Sequence, residues 1–70
     1  MTDTNKFKAA LAVRGMTAKE LAEKIGTTGA SLSLKINNLR EFKATDIAKI
    51  SEALQLSLEE KEEIFFCKMS

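Results

Sequence analysis

The chain of 70 residues contains no histidine and a single cysteine, Cys67. Histidine is the usual general base, the usual partner of a serine or cysteine nucleophile, and the commonest zinc ligand. A lone cysteine can form neither an internal disulfide nor a thiolate metal cluster. We expect Cys67 to be a half-buried thiol or, under oxidation, an intermolecular link. These absences argue against an enzyme, and the sequence predicts no metal, no other cofactor and no small-molecule substrate.

Proline is also absent, and only three glycines are present, which leaves little room for long loops or for many hairpins. No apolar run approaches the roughly 20 residues that a membrane-spanning helix needs. The first six residues are polar, unlike a signal peptide. We therefore expect one cytoplasmic domain over residues 1–70, near the lower size limit for a stable core.

The net charge of +1 is unevenly distributed along the chain. Residues 1–43 carry eight basic and four acidic side chains, whereas residues 44–70 carry three basic and six acidic ones. The two parts therefore have net charges of +4 and −3. A basic front and an acidic rear are typical of a module that meets a polyanion with one end, although ordinary surface charge is the alternative.

Apolar residues recur at helical spacing throughout the sequence. Phe7, Ala10 and Leu11, at positions i, i+3 and i+4, are an example of this pattern. The spacing predicts an all-α fold, a compact domain of five helices over residues 5–14, 18–25, 28–37, 44–54 and 58–66. Phe42, between the third and fourth helices, is expected to fill the core.

Several helix ends carry capping signals. The stretches from Thr17 to Glu20 and from Ser57 to Glu60 each match a capping box, in which the first and fourth residues satisfy each other's backbone amides. Gly26 is expected to end the second helix, and Thr28 or Thr27 to cap the third. The second and third helices are therefore joined by a very short turn.

This pair of helices has the requirements of a helix-turn-helix. Leu21, Ala22 and Leu32 supply apolar stripes on the two helices, and Ala22 is small where the helices must approach closely. In such a motif one helix braces across the DNA backbone while the next enters the major groove. Helix pairs of this kind are common, so the spacing alone does not establish DNA binding.

The sequence from residue 16 to residue 60, MTAKELAEKIGTTGASLSLKINNLREFKATDIAKISEALQLSLEE, resembles the Cro/repressor-type (XRE) helix-turn-helix family. TAKELAEKIG is similar to the first motif helix of that family and TTGASLS to its turn and recognition helix. The resemblance extends over about residues 7–66 and implies a fold like that of the lambda repressor DNA-binding domain. The short length and the segments REF and EEIFF are most similar to small phage regulators of the Cro or antirepressor kind.

The resemblance also shows where this chain departs from the family. Family members often place glutamine, which meets a phosphate, at the position of Ala18, and long polar side chains at the positions of Gly29 and Ala30. Leu34 stands at a later base-reading position. None of these residues can make the bidentate hydrogen bonds that discriminate between bases.

The remaining polar and basic residues around the third helix are compatible with DNA binding, mainly through phosphate contacts and helix amides. The predicted DNA-binding residues are Thr17, Thr27, Thr28, Gly29, Ala30, Ser31, Ser33, Leu34, Lys35, Asn38, Arg40 and Lys43. The predicted dimer or partner surface consists of Leu58, Phe65 and Phe66, where one of the adjacent phenylalanines fills the core and the other is exposed.

Two functions follow from these observations. The first is a small phage-type transcriptional regulator that binds double-stranded operator DNA through its third helix, as a homodimer in the host bacterial cytoplasm, and controls a genetic switch. The second is an antirepressor that binds a phage repressor protein and blocks its DNA contacts. The second is favoured by the few base-reading side chains on the recognition helix.

Overall fold

Three of the five helices follow a residue whose side-chain hydroxyl accepts a hydrogen bond from the backbone amide three positions later. In the computed structural model, which describes residues 1–66, the helices are α1 (Thr4–Val13), α2 (Ala18–Ile25), α3 (Gly29–Ile36), α4 (Ala44–Leu54) and α5 (Leu58–Phe65). Thr17, Thr28 and Ser57 accept hydrogen bonds from the amides of Glu20, Ser31 and Glu60. Such caps stabilise a helix by about 1 kcal/mol each. The helix ends lie within one residue of the predicted ones.

The helix exits use left-handed backbone conformations. Gly15 and Gly26 have φ angles of 61° and 80°, after α1 and α2. Asn38 and Gln55 have φ angles of 62° and 53°, after α3 and α4, although neither is glycine. Asparagine tolerates this region better than other side chains. These sharp exits allow connections of only a few residues between the helices.

One hydrophobic core joins all five helices. Its buried members are Phe7, Ala10, Leu11, Leu21, Ala22, Leu32, Ile36, Ile50, Leu54, Ile64 and Phe65. α2 packs against both α3 and α4, and α1 packs against α5. The all-α prediction is confirmed, and no strand is present in residues 1–66. No helix in this part of the chain is long and apolar enough to cross a membrane.

Three phenylalanines form the aromatic part of the core. Phe42 stacks on Phe7, with ring centroids 5.8 Å apart, and the Phe65 ring is nearly perpendicular to both, with its centroid 5.2 Å from that of Phe42 and 5.8 Å from that of Phe7. Phe42 thus packs against the core from the loop after α3, as expected. Phe65 is only 5% exposed, which corrects its inclusion in a partner surface, because a side chain in this cluster has no surface to offer. Cys67 lies outside the described residues.

Arg14 ties three helices together at one end of the bundle. Its Nε donates to the carbonyl oxygen of Leu54 at 2.6 Å, and its Nη1 donates to the carbonyl oxygen of Ala10 at 3.0 Å. Its Nη2 lies 3.2 Å from Oε2 of Glu60. The end of α1 is thereby joined to the end of α4 and to the beginning of α5.

Candidate nucleic-acid interface

The turn between α2 and α3 consists of three residues. Gly26 leaves α2 in the left-handed region, with no atom within 4 Å of the place where a Cβ would lie. The need for glycine here is therefore conformational and not steric. Thr28 then caps α3. A Cβ at Gly29 would lie 3.9 Å from the Cα atom of Lys19, so the first turn of α3 rests on the first turn of α2.

The outer face of α3 is a stripe of small, uncharged side chains. Ala30, Ser33 and Asn37 are exposed, and Leu34 lies half-buried at the edge of the stripe. Asn37 Nδ2 donates to the carbonyl oxygen and the hydroxyl of Ser33, at 2.9 and 3.3 Å. Asn37 shares this face with Ala30 and Ser33 because the three residues follow one another at helical spacing. We call these four residues the α3 stripe.

The amino-terminal ends of α2 and α3 differ in their charge. At α2, Glu20 occupies the first turn, and its Oε1 accepts from both the amide and the hydroxyl of Thr17, at 3.2 and 3.0 Å. The hydroxyl proton of Thr17 is thus committed to a carboxylate, which would also repel a phosphate. The first turn of α3 contains no acidic residue, and the Thr28 hydroxyl only accepts there, which leaves its proton free. Of the two ends, α3 is the one open to an anion.

Thr17 was predicted to contact DNA, but its hydroxyl instead closes the capping box of α2. The prediction for Thr17 is therefore corrected. Thr27 and Ser31, also predicted, are half-buried beside the cap, whereas Thr28 is exposed. The structure thus brings the hydroxyls of the turn together at the beginning of α3. Only some of them reach solvent.

Lys35 does not point to a DNA surface. Its Nζ donates to Oδ2 of Asp46 at 2.8 Å, and the two side chains are only 18% and 22% exposed. This hydrogen bond is the main cause of the lowered pKa of the Asp46 carboxyl. The amide and the charge of Lys43 lower this pKa further, whereas burial raises it. Lys35 joins the end of α3 to the beginning of α4. Its predicted role as a phosphate contact is corrected to a structural one.

Asn38 is likewise occupied within the protein. Its Oδ1 accepts from the amide of Thr2 at 2.8 Å, and its Nδ2 donates to the carbonyl oxygen of Thr2 at 2.9 Å. Both polar atoms of the side chain are therefore used. Asn38, predicted to touch DNA, instead holds the amino-terminal segment.

Four exposed basic side chains lie before and after the α3 stripe in the sequence. Arg40 and Lys43 follow α3, and Lys19 and Lys24 lie on α2. None of the four forms an ion pair with a carboxylate in residues 1–66. Lys19 and Lys24 were not predicted as site residues. The contact between the first turns of α2 and α3 is the feature that brings Lys19 near the beginning of α3.

A family model described as helix-turn-helix matches residues 8–61, which is more than half of the chain. The chain belongs to the helix-turn-helix family. The family resemblance drawn from the sequence is thus confirmed. No curated protein and no solved structure matches the chain.

As a helix-turn-helix protein, the chain is a DNA-binding transcription regulator, because the family is one of DNA-binding regulator domains. In the geometry of the motif, α3 is the recognition helix and α2 the bracing helix. Ala30 and Leu34 belong to the α3 stripe, whereas Gly29 lies against α2, and none of the three has a group for bidentate base contacts. The chemistry of this interface is therefore dominated by hydroxyls, methyl groups and peripheral positive charge.

Proposed function

We propose that this protein is a small regulator that binds operator DNA as a homodimer, with the α3 stripe in the major groove. The observation that carries the proposal is the contrast between the two helix ends. The beginning of α3 has no acidic residue and has free amides, whereas Glu20 closes the beginning of α2. An anion approaching the motif therefore meets α3 first.

The α3 stripe supports close approach more than strong base discrimination. Ala30 can place its methyl group against a thymine methyl, and the hydroxyl of Ser33 can donate to or accept from a base edge. Small side chains allow the helix backbone to come near the floor of the groove. Arg40, Lys43 and Lys19 then provide phosphate contacts at the two ends of α3. Such an interface gives affinity that depends steeply on salt.

The homodimer would place two recognition helices about one DNA turn apart, roughly 34 Å. Leu58 and Phe66 are 72% and 56% exposed, and they remain the proposed dimer surface after the removal of Phe65. The role in a phage genetic switch rests on the resemblance of the segments REF and EEIFF to those of phage regulators.

A second function, capture of a repressor protein, is favoured by one specific observation. Leu39, three residues beyond the end of α3, is 71% exposed, and Leu34 of the α3 stripe is half-buried. Two leucines on and near a face with few base-reading side chains suit contact with another protein as well as contact with DNA. An antirepressor would use this face to cover the DNA-binding surface of its partner.

A salt titration of DNA binding tests the proposal. The probe is a duplex that the protein itself selects from a random-sequence pool, and binding is followed by fluorescence anisotropy. With four or five phosphate contacts per protomer, the log–log salt slope is expected to be about −4 per protomer. The double variant Arg40→Ala/Lys43→Ala is expected to reduce this slope by about 2 and to weaken binding.

The matched control removes the same charge elsewhere. The variant Lys8→Ala/Lys61→Ala changes two lysines on α1 and α5, outside the motif, and is expected to keep the wild-type slope. Absence of any salt-dependent binding by the wild-type protein would contradict the proposal. Co-purification with a repressor, lost in the variant Leu34→Glu, would favour the second function.

A further inference from the structure

The last four carbonyl oxygens of α3 all have hydrogen-bond donors, but the donors come from two different places. The carbonyls of residues 33–35 accept from the amides of residues 37–40, which form the turn that ends the helix. The carbonyl of Ile36 accepts instead from the hydroxyl of Thr4, at 2.7 Å. Helix-end carbonyls need partners from outside the helix. The recognition helix is therefore completed by a residue that lies 32 positions earlier in the sequence.

Thr4 belongs to a segment that binds the end of α3, the turn after α3, and α5. We call residues 1–4 the amino-terminal strap. The two hydrogen bonds between Thr2 and the side chain of Asn38 join the strap to the turn after α3. The amide of Asp3 donates to the carbonyl oxygen of Ile64 at 2.7 Å and joins the strap to α5. Thr2 is only 7% exposed, so the strap is packed into the structure.

Asn38 meets two requirements at once. Its φ angle of 62° lies in the left-handed region, which glycine and asparagine adopt most readily. Glycine would meet this requirement but has no side chain. An amide side chain has separate acceptor and donor atoms, so Asn38 can accept from the amide of Thr2 and donate to its carbonyl at the same time. The direction of the chain after α3 is therefore coupled to the strap.

The loop that follows this point carries two of the exposed basic residues. Arg40 is two residues beyond Asn38, and Lys43 immediately precedes α4. We propose that Thr4 and Asn38 are positioning residues for DNA binding, which hold the carboxyl end of α3 and Arg40, in the loop after it, in the orientation that meets phosphates. This inference rests on the proposed function of α3 as a DNA-reading helix. Neither positioning residue needs to touch DNA itself.

Two variants separate this role from simple stabilisation. Asn38→Gly keeps the left-handed backbone but removes both hydrogen bonds to Thr2, and Thr4→Val removes the hydroxyl while keeping the shape of the side chain. Asn5→Ala and Thr45→Val are the matched controls, since both residues are exposed. Binding to the selected duplex is measured over a salt series at 10 °C, after circular dichroism has been used to check that each variant is folded at that temperature.

We expect Asn38→Gly and Thr4→Val each to weaken binding five- to tenfold and to reduce the salt slope by about 1, because a displaced loop loses a phosphate contact. The controls should bind as the wild-type protein does. In the background of Arg40→Ala, the effect of Asn38→Gly should shrink below twofold, because the strap acts through the position of that arginine.

An unchanged slope and affinity, with only a lower melting temperature, would overturn the proposal and leave the strap as a stabilising element. Full additivity of Asn38→Gly with Arg40→Ala would also overturn it. If the wild-type protein itself binds no duplex, the proposed function fails and the positioning role fails with it. The wild-type titration therefore distinguishes the two kinds of failure.

Discussion

Replacement of Arg14 by methionine tests how much of the stability depends on one side chain. Methionine keeps most of the aliphatic length of arginine but has no donors. The variant loses the hydrogen bonds to the carbonyl oxygens of Leu54 and Ala10, at 2.6 and 3.0 Å, together with the ion pair to Glu60. The carbonyl of Leu54 lies at the end of α4, where it depends on donors from outside the helix.

The two bonds to carbonyls determine the expected magnitude. A hydrogen bond from a charged group contributes about 1.5–3 kcal/mol. The Arg14 side chain is 23% exposed, so water can replace part of this contribution. We therefore expect the free energy of unfolding to fall by about 2–4 kcal/mol. For a domain of this size, each kcal/mol corresponds to a shift in Tm of about 4–8 °C.

Thermal and urea unfolding, followed by circular dichroism, measure this loss. Lys8→Met is the matched control, because Lys8 is an exposed basic residue of the same helix and forms no ion pair within residues 1–66. Its effect should be below about 0.5 kcal/mol. A Tm for Arg14→Met within 2 °C of the control would refute the assignment of Arg14 as the tie between α1, α4 and α5.

Three further predictions concern single groups. Gln55→Gly should raise the free energy of unfolding by about 1 kcal/mol, because glycine occupies the left-handed region at φ 53° without strain. Urea unfolding measures this change, and a lower free energy of unfolding in the variant would show that the backbone of Gln55 is not strained. Ser51→Ala should raise the free energy of unfolding by about 0.5–1 kcal/mol in the same assay, because the Ser51 hydroxyl is buried without a hydrogen-bond partner in residues 1–66. A destabilised variant would indicate that the hydroxyl has a partner such as a bound water. The pKa of Asp46 is lowered mainly by its hydrogen bond from Lys35, and that of Glu60 mainly by the amide of Ser57 and then by Arg14. Both carboxylates bind protons more weakly in the folded protein, so their stabilisation is present above about pH 4 and is lost as the pH falls through the folded pKa values. Unfolding measured from pH 6 to pH 2 should show this loss, and Lys35→Met should reduce it, whereas an identical pH profile for that variant would contradict the role of the ion pair.

The helices and their ends were predictable because their signals are local. A capping box joins residues three apart, so the stretch from Thr17 to Glu20 contains its own structural instruction. The same holds for the exit at Gly26, whose left-handed conformation depends on the residue itself. The packing of Phe42 against the core could also be inferred, because Phe42 is the one aromatic residue in the connection between α3 and α4.

The roles of the polar residues around α3 were less predictable, because they depend on partners distant in sequence. Lys35 has a basic side chain at the end of a recognition helix, and only the fold places Asp46 beside it. Asn38 bonds to a residue 36 positions away, and nothing near it in the sequence indicates Thr2 as the partner. Lys19 was missed for the opposite reason, since its nearness to α3 arises from the packing of two helices.

The uneven charge along the chain has a structural use as well as a functional one. Three ion pairs join the basic front of the sequence to its acidic rear: Lys6 with Glu63, Arg14 with Glu60, and Lys35 with Asp46. The Arg14–Glu60 and Lys35–Asp46 pairs are less exposed than the Lys6–Glu63 pair. Part of the positive charge that predicted a polyanion partner is therefore neutralised within the domain. What remains for DNA is a smaller set of side chains at the two ends of α3, so each of them should carry a larger share of the salt dependence than the net charge suggests.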